Sequence, residues 1–199
     1  MLLLIFRRNI ENVCKLLAMS VNITYFVHGT TPYNERGIAS GQSDIGLSEQ
    51  GVEDAKKLGR LTEGLAFDAV FTSDLPRAVQ TTELAFGNRY KVIREPRLRE
   101  INDGDMTGKP IRDILKSQTP FIANPYPNGE SFKDVGHRIA SLLVDLKKDW
   151  DGKHVAFVAH QAPQLALDIL LKGKTWEEAF AEDWRKTKSW QPGWEYVLE

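Results

Sequence analysis

Cysteine is almost absent: Cys14 is the only one in 199 residues. No intrachain disulfide and no thiolate-rich zinc site can form, and a reducing, cytoplasmic setting is expected. Long apolar runs are missing at the N-terminus as well. The stretch Leu2–Phe6 has five residues, far short of a membrane span or a signal-peptide core, and it precedes Arg7 and Arg8, the reverse of secretory order. An excess of charge of either sign is also lacking. Twenty-six Lys+Arg stand against 27 Asp+Glu, so the broad basic surface of a general nucleic-acid binder is not expected. Neither a repeat nor a low-complexity tract interrupts the chain. With 42% hydrophobic and 27% charged residues, the composition is that of a folded globular protein.

What is present alternates. Residues 1–18 read as an N-terminal extension outside a single domain of residues 19–199; an amphipathic membrane anchor is the competing reading of the extension. From Val21 the sequence predicts a strand, VNITYFV (21–27), ending at His28-Gly29. Ser48 caps a predicted helix to about Leu61. FDAVFTS (67–73) reads as a second strand, and Asp74 with Pro76 opens a helix through Phe86. YKVIRE (90–95) is a third strand. Val135, Ile139, Leu142, Leu143 and Leu146 place a long amphipathic helix over 131–150. HVAFVAH (154–160) is a buried strand, followed by a helix from Pro163 to Leu171. Thr175 and Glu178 form a capping box, and 195–198 a last strand. Strands separated by helices imply an α/β fold, a three-layer α/β/α sandwich with a mostly parallel sheet. Residues 119–129, with three prolines, form a loop in which Phe121 and Tyr126 are candidates for a substrate entrance. Trp176, Trp184, Trp190 and Trp194 suggest core or dimer packing rather than a ligand cage, and a homodimer is left open.

The four histidines sort by position. His137 falls on the polar side of its helix and His154 opens a strand; both read as structural. His28 and His160 each arrive at the carboxyl end of a predicted strand, the edge where open α/β sheets bind ligands. Arg77 lies in the first turn of a helix, a natural oxyanion site, and Glu100 follows the third strand. An imidazole nucleophile, a guanidinium, a second imidazole and a carboxyl together suit phosphoryl transfer without a metal.

Several motifs in this order resemble the histidine phosphatase superfamily, the phosphoglycerate-mutase-like fold. They are VHGTTPYN (27–34), SGQSDIGLSEQG (40–51), TSDLPRAVQTTE (72–83), LREINDGDMTGK (98–109), GESFKDVGHR (129–138) and VAHQ (158–161). The stretch NERGIASG (34–41) is similar to α-ribazole phosphatases. The resemblance implies that His28 becomes phosphohistidine and that Glu100 donates the proton. It places Arg77, His160, Asn34 and the Gln161 backbone N–H on the phosphoryl oxygens. It implies no cofactor and no metal, and a small phosphorylated substrate as partner, with no nucleic acid or membrane.

The family's first motif is Arg-His-Gly, and Val27 stands in the arginine's place. Arg36, Arg99 and Lys109 are the candidates to supply the missing charge. Gln161, where many relatives have Gly, and Thr107, where they often have Glu, are lesser departures. Gly129 comes only 29 positions after Glu100, which favours a phosphatase with an open pocket over the longer cofactor-dependent mutases. The expected activity is that of a metal-independent phosphomonoesterase, reduced by Val27. Competing readings are a mutase-type phosphotransferase, an impaired phospholigand-binding protein, and a metal-dependent hydrolase using Asp44, Asp103 or Asp105 with the histidines.

Overall fold

The computed structural model describes residues 19–187 and 191–199; the extension 1–18 and Trp190 lie outside them. The described strands are β1 (Val21–Val27), β2 (Ala69–Thr72), β3 (Val92–Arg94), β4 (His154–Ala159) and β5 (Trp194–Leu198). They form one sheet in the order β3-β2-β4-β1-β5, parallel except for β5, which runs antiparallel to β1. The helices are α1 (Pro32–Glu35), α2 (Glu49–Leu61), α3 (Pro76–Phe86), α4 (Ile111–Lys116), α5 (Phe132–Trp150), α6 (Gln161–Lys172), α7 (Trp176–Ala181) and α8 (Trp184–Thr187).

Residue parity along the strands decides which layer each side chain joins, because successive side chains point to opposite faces. Ile23, Tyr25, Phe71, Val155 and Phe157 pack with Val135, Ile139 and Leu142 of α5 and Leu165 of α6. Their neighbours Phe26, Val70, Ala156 and Val158 pack with Leu58 of α2 and Phe86 of α3. Two hydrophobic cores on opposite faces make the three-layer α/β/α sandwich. β1 and β4 are buried on both faces, as their apolar runs require.

Three element boundaries differ from the sequence reading. β3 keeps only three residues, because Val92 and Arg94 are exposed at the sheet edge. α6 begins at Gln161, so Pro163 sits in its first turn, where a missing N–H costs nothing. Asp74 does not cap α3: the cap position is Leu75, and the Asp74 carboxylate instead holds both arms of Arg99 at 2.7 Å. Trp176 and Trp194 pack against the first core, as expected, and Trp176 meets Phe132 at 5.5 Å. Trp184 has a different role, described below. His137 is exposed, and His154 bonds Thr24 and packs edge-on to Phe67, both consistent with structural roles.

The turn after β1 is held against α2 by two glycines. A Cβ on Gly51 would lie 1.9 Å from the Thr30 carbonyl oxygen, and one on Gly29 would lie 2.5 Å from that of Gly51. Both obstacles are backbone, so neither can swing aside. Gly51→Ala is expected to cost about 3 kcal/mol, the upper end for overpacking, and to lower Tm by roughly 6–12 °C in a thermal melt.

Candidate active site

The strand order sets the order of the site residues along the carboxyl edge of the sheet. His28 follows β1 and His160 follows β4, and these strands pair in register through Val27 and Ala159. The His28 N–H donates to the Ala159 carbonyl at 3.1 Å, and the two rings stand 5.0 Å apart. Next comes β2, which leads through Ser73 to Arg77 in the first turn of α3. At the outer edge β3 leads through a short 3-10 turn to Glu100. All four side chains line one cavity of about 640 Å³, within the usual range for small-molecule sites.

The hydrogen bonds fix the state of His28. Its Nδ1 faces the Gly29 carbonyl at 2.7 Å, and a carbonyl can only accept, so Nδ1 carries the proton. Its Nε2 is then a lone pair, and Arg77 Nε donates to it at 3.2 Å. Desolvation, helped by the Arg77 charge, lowers the His28 pKa to about 3. His160 is fully buried, with Nε2 at 2.9 Å from Ser73 Oγ, and its pKa is well below the ordinary value for the same causes, desolvation first. Both imidazoles are therefore neutral at physiological pH. Arg77 itself is 1% exposed and is oriented by the Gly41 and Ser43 carbonyls at 2.8 and 3.0 Å.

Glu100 sits at the N-terminus of α6. Its carboxylate accepts from the Ile101, Ala162 and Gln161 N–H groups at 2.9, 3.0 and 3.2 Å. Arg138 of α5 donates to the Glu100 carbonyl and is itself held by Glu130. Arg138, Glu130 and Ser73 thus position the site without having been singled out in the sequence. The presence of Arg138 and Glu130 in one motif, GESFKDVGHR, was the only signal available.

Some expectations need correction. In this structure the Gln161 N–H serves Glu100, and the Gln161 side chain donates to Asp183. Asn34 lines the cavity, but its Oδ1 caps α1 through Thr31, leaving its amide NH₂ as the group to offer an anion. None of the three candidate replacement cations lines the cavity. Arg36 stacks on Tyr33, Arg99 is paired with Asp74, and Lys109 is exposed. Val27 does line it, half-buried, beside His28. The tail also reaches the cavity: Trp184 and Arg185 line it, so Trp184 is more than packing. Tyr126 lines the cavity as expected, whereas Phe121 stacks behind it at 4.0 Å. Asp44 and Asp105 are exposed; Asp103 is buried and lines the cavity.

Two neutral buried histidines also make stability depend on pH. Unfolded histidine takes up a proton near pH 6.5, whereas His28 refuses it down to about pH 3. The unfolded state therefore binds more protons in that window. Stability is expected to fall as pH drops below about 6.5, by at most about 1.4 kcal/mol per pH unit for each such group. Chemical denaturation at pH 7, 6 and 5 measures the slope, and His160→Asn should flatten it.

Comparisons with known proteins assign the family. Residues 25–195 match the histidine phosphatase superfamily (branch 1), and the chain belongs to that superfamily. A 2,3-bisphosphoglycerate-dependent phosphoglycerate mutase of Mesorhizobium japonicum is 34% identical over 177 residues, covering 80% of this chain and 85% of the mutase. An adenosylcobalamin/alpha-ribazole phosphatase of Escherichia coli is 29% identical over 143 residues, 67% of this chain and 70% of that protein. Among solved structures, YhfR of Bacillus stearothermophilus superposes with a TM-score of 0.70 at 28% identity, covering 80% of this chain and 83% of that one. The mutase match also removes an expectation. This chain covers 85% of a protein named as a mutase, so chain length does not separate mutase from phosphatase here.

Proposed function

We propose that the chain is a metal-independent phosphomonoesterase acting through a phosphohistidine. The observation that carries this reading is the neutral His28, with its Nε2 lone pair directed at the Arg77 guanidinium inside the cavity. In the first step Nε2 attacks phosphorus, the N–P bond forms and the ester P–O bond breaks. Arg77, released from Nε2, takes the phosphoryl oxygens together with His160 and the Asn34 amide. Glu100, in its protonated form, gives its proton to the leaving alcohol oxygen. In the second step Glu100 takes a proton from water, the water oxygen bonds to phosphorus, and the N–P bond breaks to release phosphate and restore His28.

The test is phosphate release from an aryl phosphate with a chelator present. Release unaffected by the chelator supports the reading, and loss of activity on chelation overturns it in favour of a metal-dependent hydrolase. The 34% identity to a named mutase supports a second reading, phosphotransfer between positions of one substrate. Incubation with 3-phosphoglycerate and a bisphosphoglycerate primer separates the two: positional exchange without net phosphate release defines a mutase. Ester binding with neither outcome defines the impaired binding protein that Val27 suggests.

A further inference from the structure

Among the described residues, three buried side-chain polar atoms have no hydrogen-bond partner in the protein: Ser40 Oγ, Tyr126 Oη and His160 Nδ1. All three residues line the same cavity. An unsatisfied buried polar group costs about 1–3 kcal/mol, and native proteins hold few of them. Three in the wall of one cavity point to a partner from outside the chain. His160 belongs to the phosphoryl end already described. Ser40 and Tyr126 need another explanation.

They share their wall with Asp103, which is 5% exposed. Ser40 adjoins Gly41, and a Cβ on Gly41 would come within 3.4 Å of Asp103 Oδ2, so this carboxyl lies against the Ser40-Gly41 backbone. After burial, Asp103 is the charge that raises the pKa of the Tyr126 hydroxyl most, ahead of Glu100. Burial, then the neighbouring Glu100, pushes the Asp103 pKa up to about 7, so near neutral pH it both donates and accepts. Serine and tyrosine hydroxyls do the same. A set of groups that all donate and accept matches alcohol hydroxyls. It does not match a second anion, which would meet the carboxyls of Asp103 and Glu100 together. Arg185 offsets them only in part: it lowers the Asp103 pKa against the larger effects of burial and Glu100, and the buried Asp183 carboxylate already pairs with it at 2.9 Å. Trp184 and Phe132 add apolar surface to the same cavity, suited to the C–H faces of a carbon chain or ring.

We propose that Ser40, Asp103 and Tyr126 form a second polar subsite for hydroxyl groups on the alcohol part of the substrate. The substrate class is then a phosphorylated polyol or sugar rather than a phosphorylated carboxylate or plain alkyl ester. The proposal rests on the phosphomonoesterase reading of the same cavity and deepens it.

The experiment compares sorbitol 6-phosphate with hexyl phosphate, which has the same chain length and no hydroxyls, and with 3-phosphoglycerate. Wild type is expected to favour sorbitol 6-phosphate over hexyl phosphate by about tenfold or more in kcat/KM, since sites built to bond hydroxyls reject analogues lacking them. Tyr126→Phe and Asp103→Leu are each expected to cut that ratio about tenfold. Asp103→Asn, which still donates and accepts, should keep most of it. A merely structural role would lower both esters alike and leave the ratio in place. An unchanged ratio in Tyr126→Phe and Asp103→Leu overturns the subsite, as does a wild-type preference for 3-phosphoglycerate, while aryl phosphate turnover would still uphold the phosphatase reading. Should no ester be cleaved, the phosphatase reading fails by itself. The same two esters titrated calorimetrically into wild type and variants then decide the subsite by their Kd ratio.

Discussion

His28→Ala is expected to lose at least about 10⁴-fold of the rate of phosphate release, with the fold retained. Removing the nucleophile from a covalent mechanism removes the intermediate itself, and such losses in other enzymes run to about 10⁶-fold. The fold should survive because the His28 ring serves no structural network. Among the described residues its side-chain bonds run to Gly29 next to it and to Arg77, whose guanidinium keeps the Gly41 and Ser43 carbonyls when the imidazole is gone. The assay is phosphate release by wild type and variant beside a thermal melt of each. A His28→Ala protein as active as wild type would assign the nucleophile elsewhere.

Val27→Arg carries the next largest expected effect, and in the opposite direction. Among the described residues the cavity has one buried guanidinium, Arg77, and two candidates for a second are engaged elsewhere, Arg36 on Tyr33 and Arg99 on Asp74. Val27 lines the cavity at the last paired position of β1, directly before His28. An arginine introduced there starts at the rim of the phosphoryl pocket, and its long stem can lie along the apolar wall. A single preorganised oxyanion donor is worth about 10²–10³ in rate. Val27→Arg is therefore expected to raise kcat on an aryl phosphate by about 10²-fold, read from full saturation curves. An unchanged kcat would mean that the wild-type pocket already stabilises the transition state without the missing charge.

The sequence carried the residues that hang on regular structure. His28 and His160 were identifiable because strand ends are marked by where an apolar run stops, and the parallel pairing of two buried strands brings such ends together. Arg77 was identifiable because Pro76 marks a helix start. Glu100 came from its place after a strand, although its hold on three backbone N–H groups at α6 could not be read, since that depends on where α6 begins relative to Pro163. What sequence reasoning missed lies in long-range pairing of charges. Asp74 reads locally as a helix cap, yet Arg99, 25 positions away, competes for it and wins with two hydrogen bonds. The same competition removed Arg99 from the list of replacement cations. Asp103 was singled out only as a metal ligand, because nothing local says that a carboxyl after a turn will be buried beside Ser40 and Tyr126. Arg185 and Trp184 reach the cavity from the tail, and no periodicity in the tail announces it.

The placement of Glu100 has a consequence for the resting protein. Its carboxyl oxygens take the Gln161 and Ala162 N–H donors at the head of α6, so the unliganded site already holds an internal acceptor there. A helix N-terminus left open collects chloride, sulfate or stray phosphate from solution. Here that attraction is satisfied internally, and an incoming ester must offer the site more than charge. Discrimination against simple salts at this helix head is thus built into the ground state.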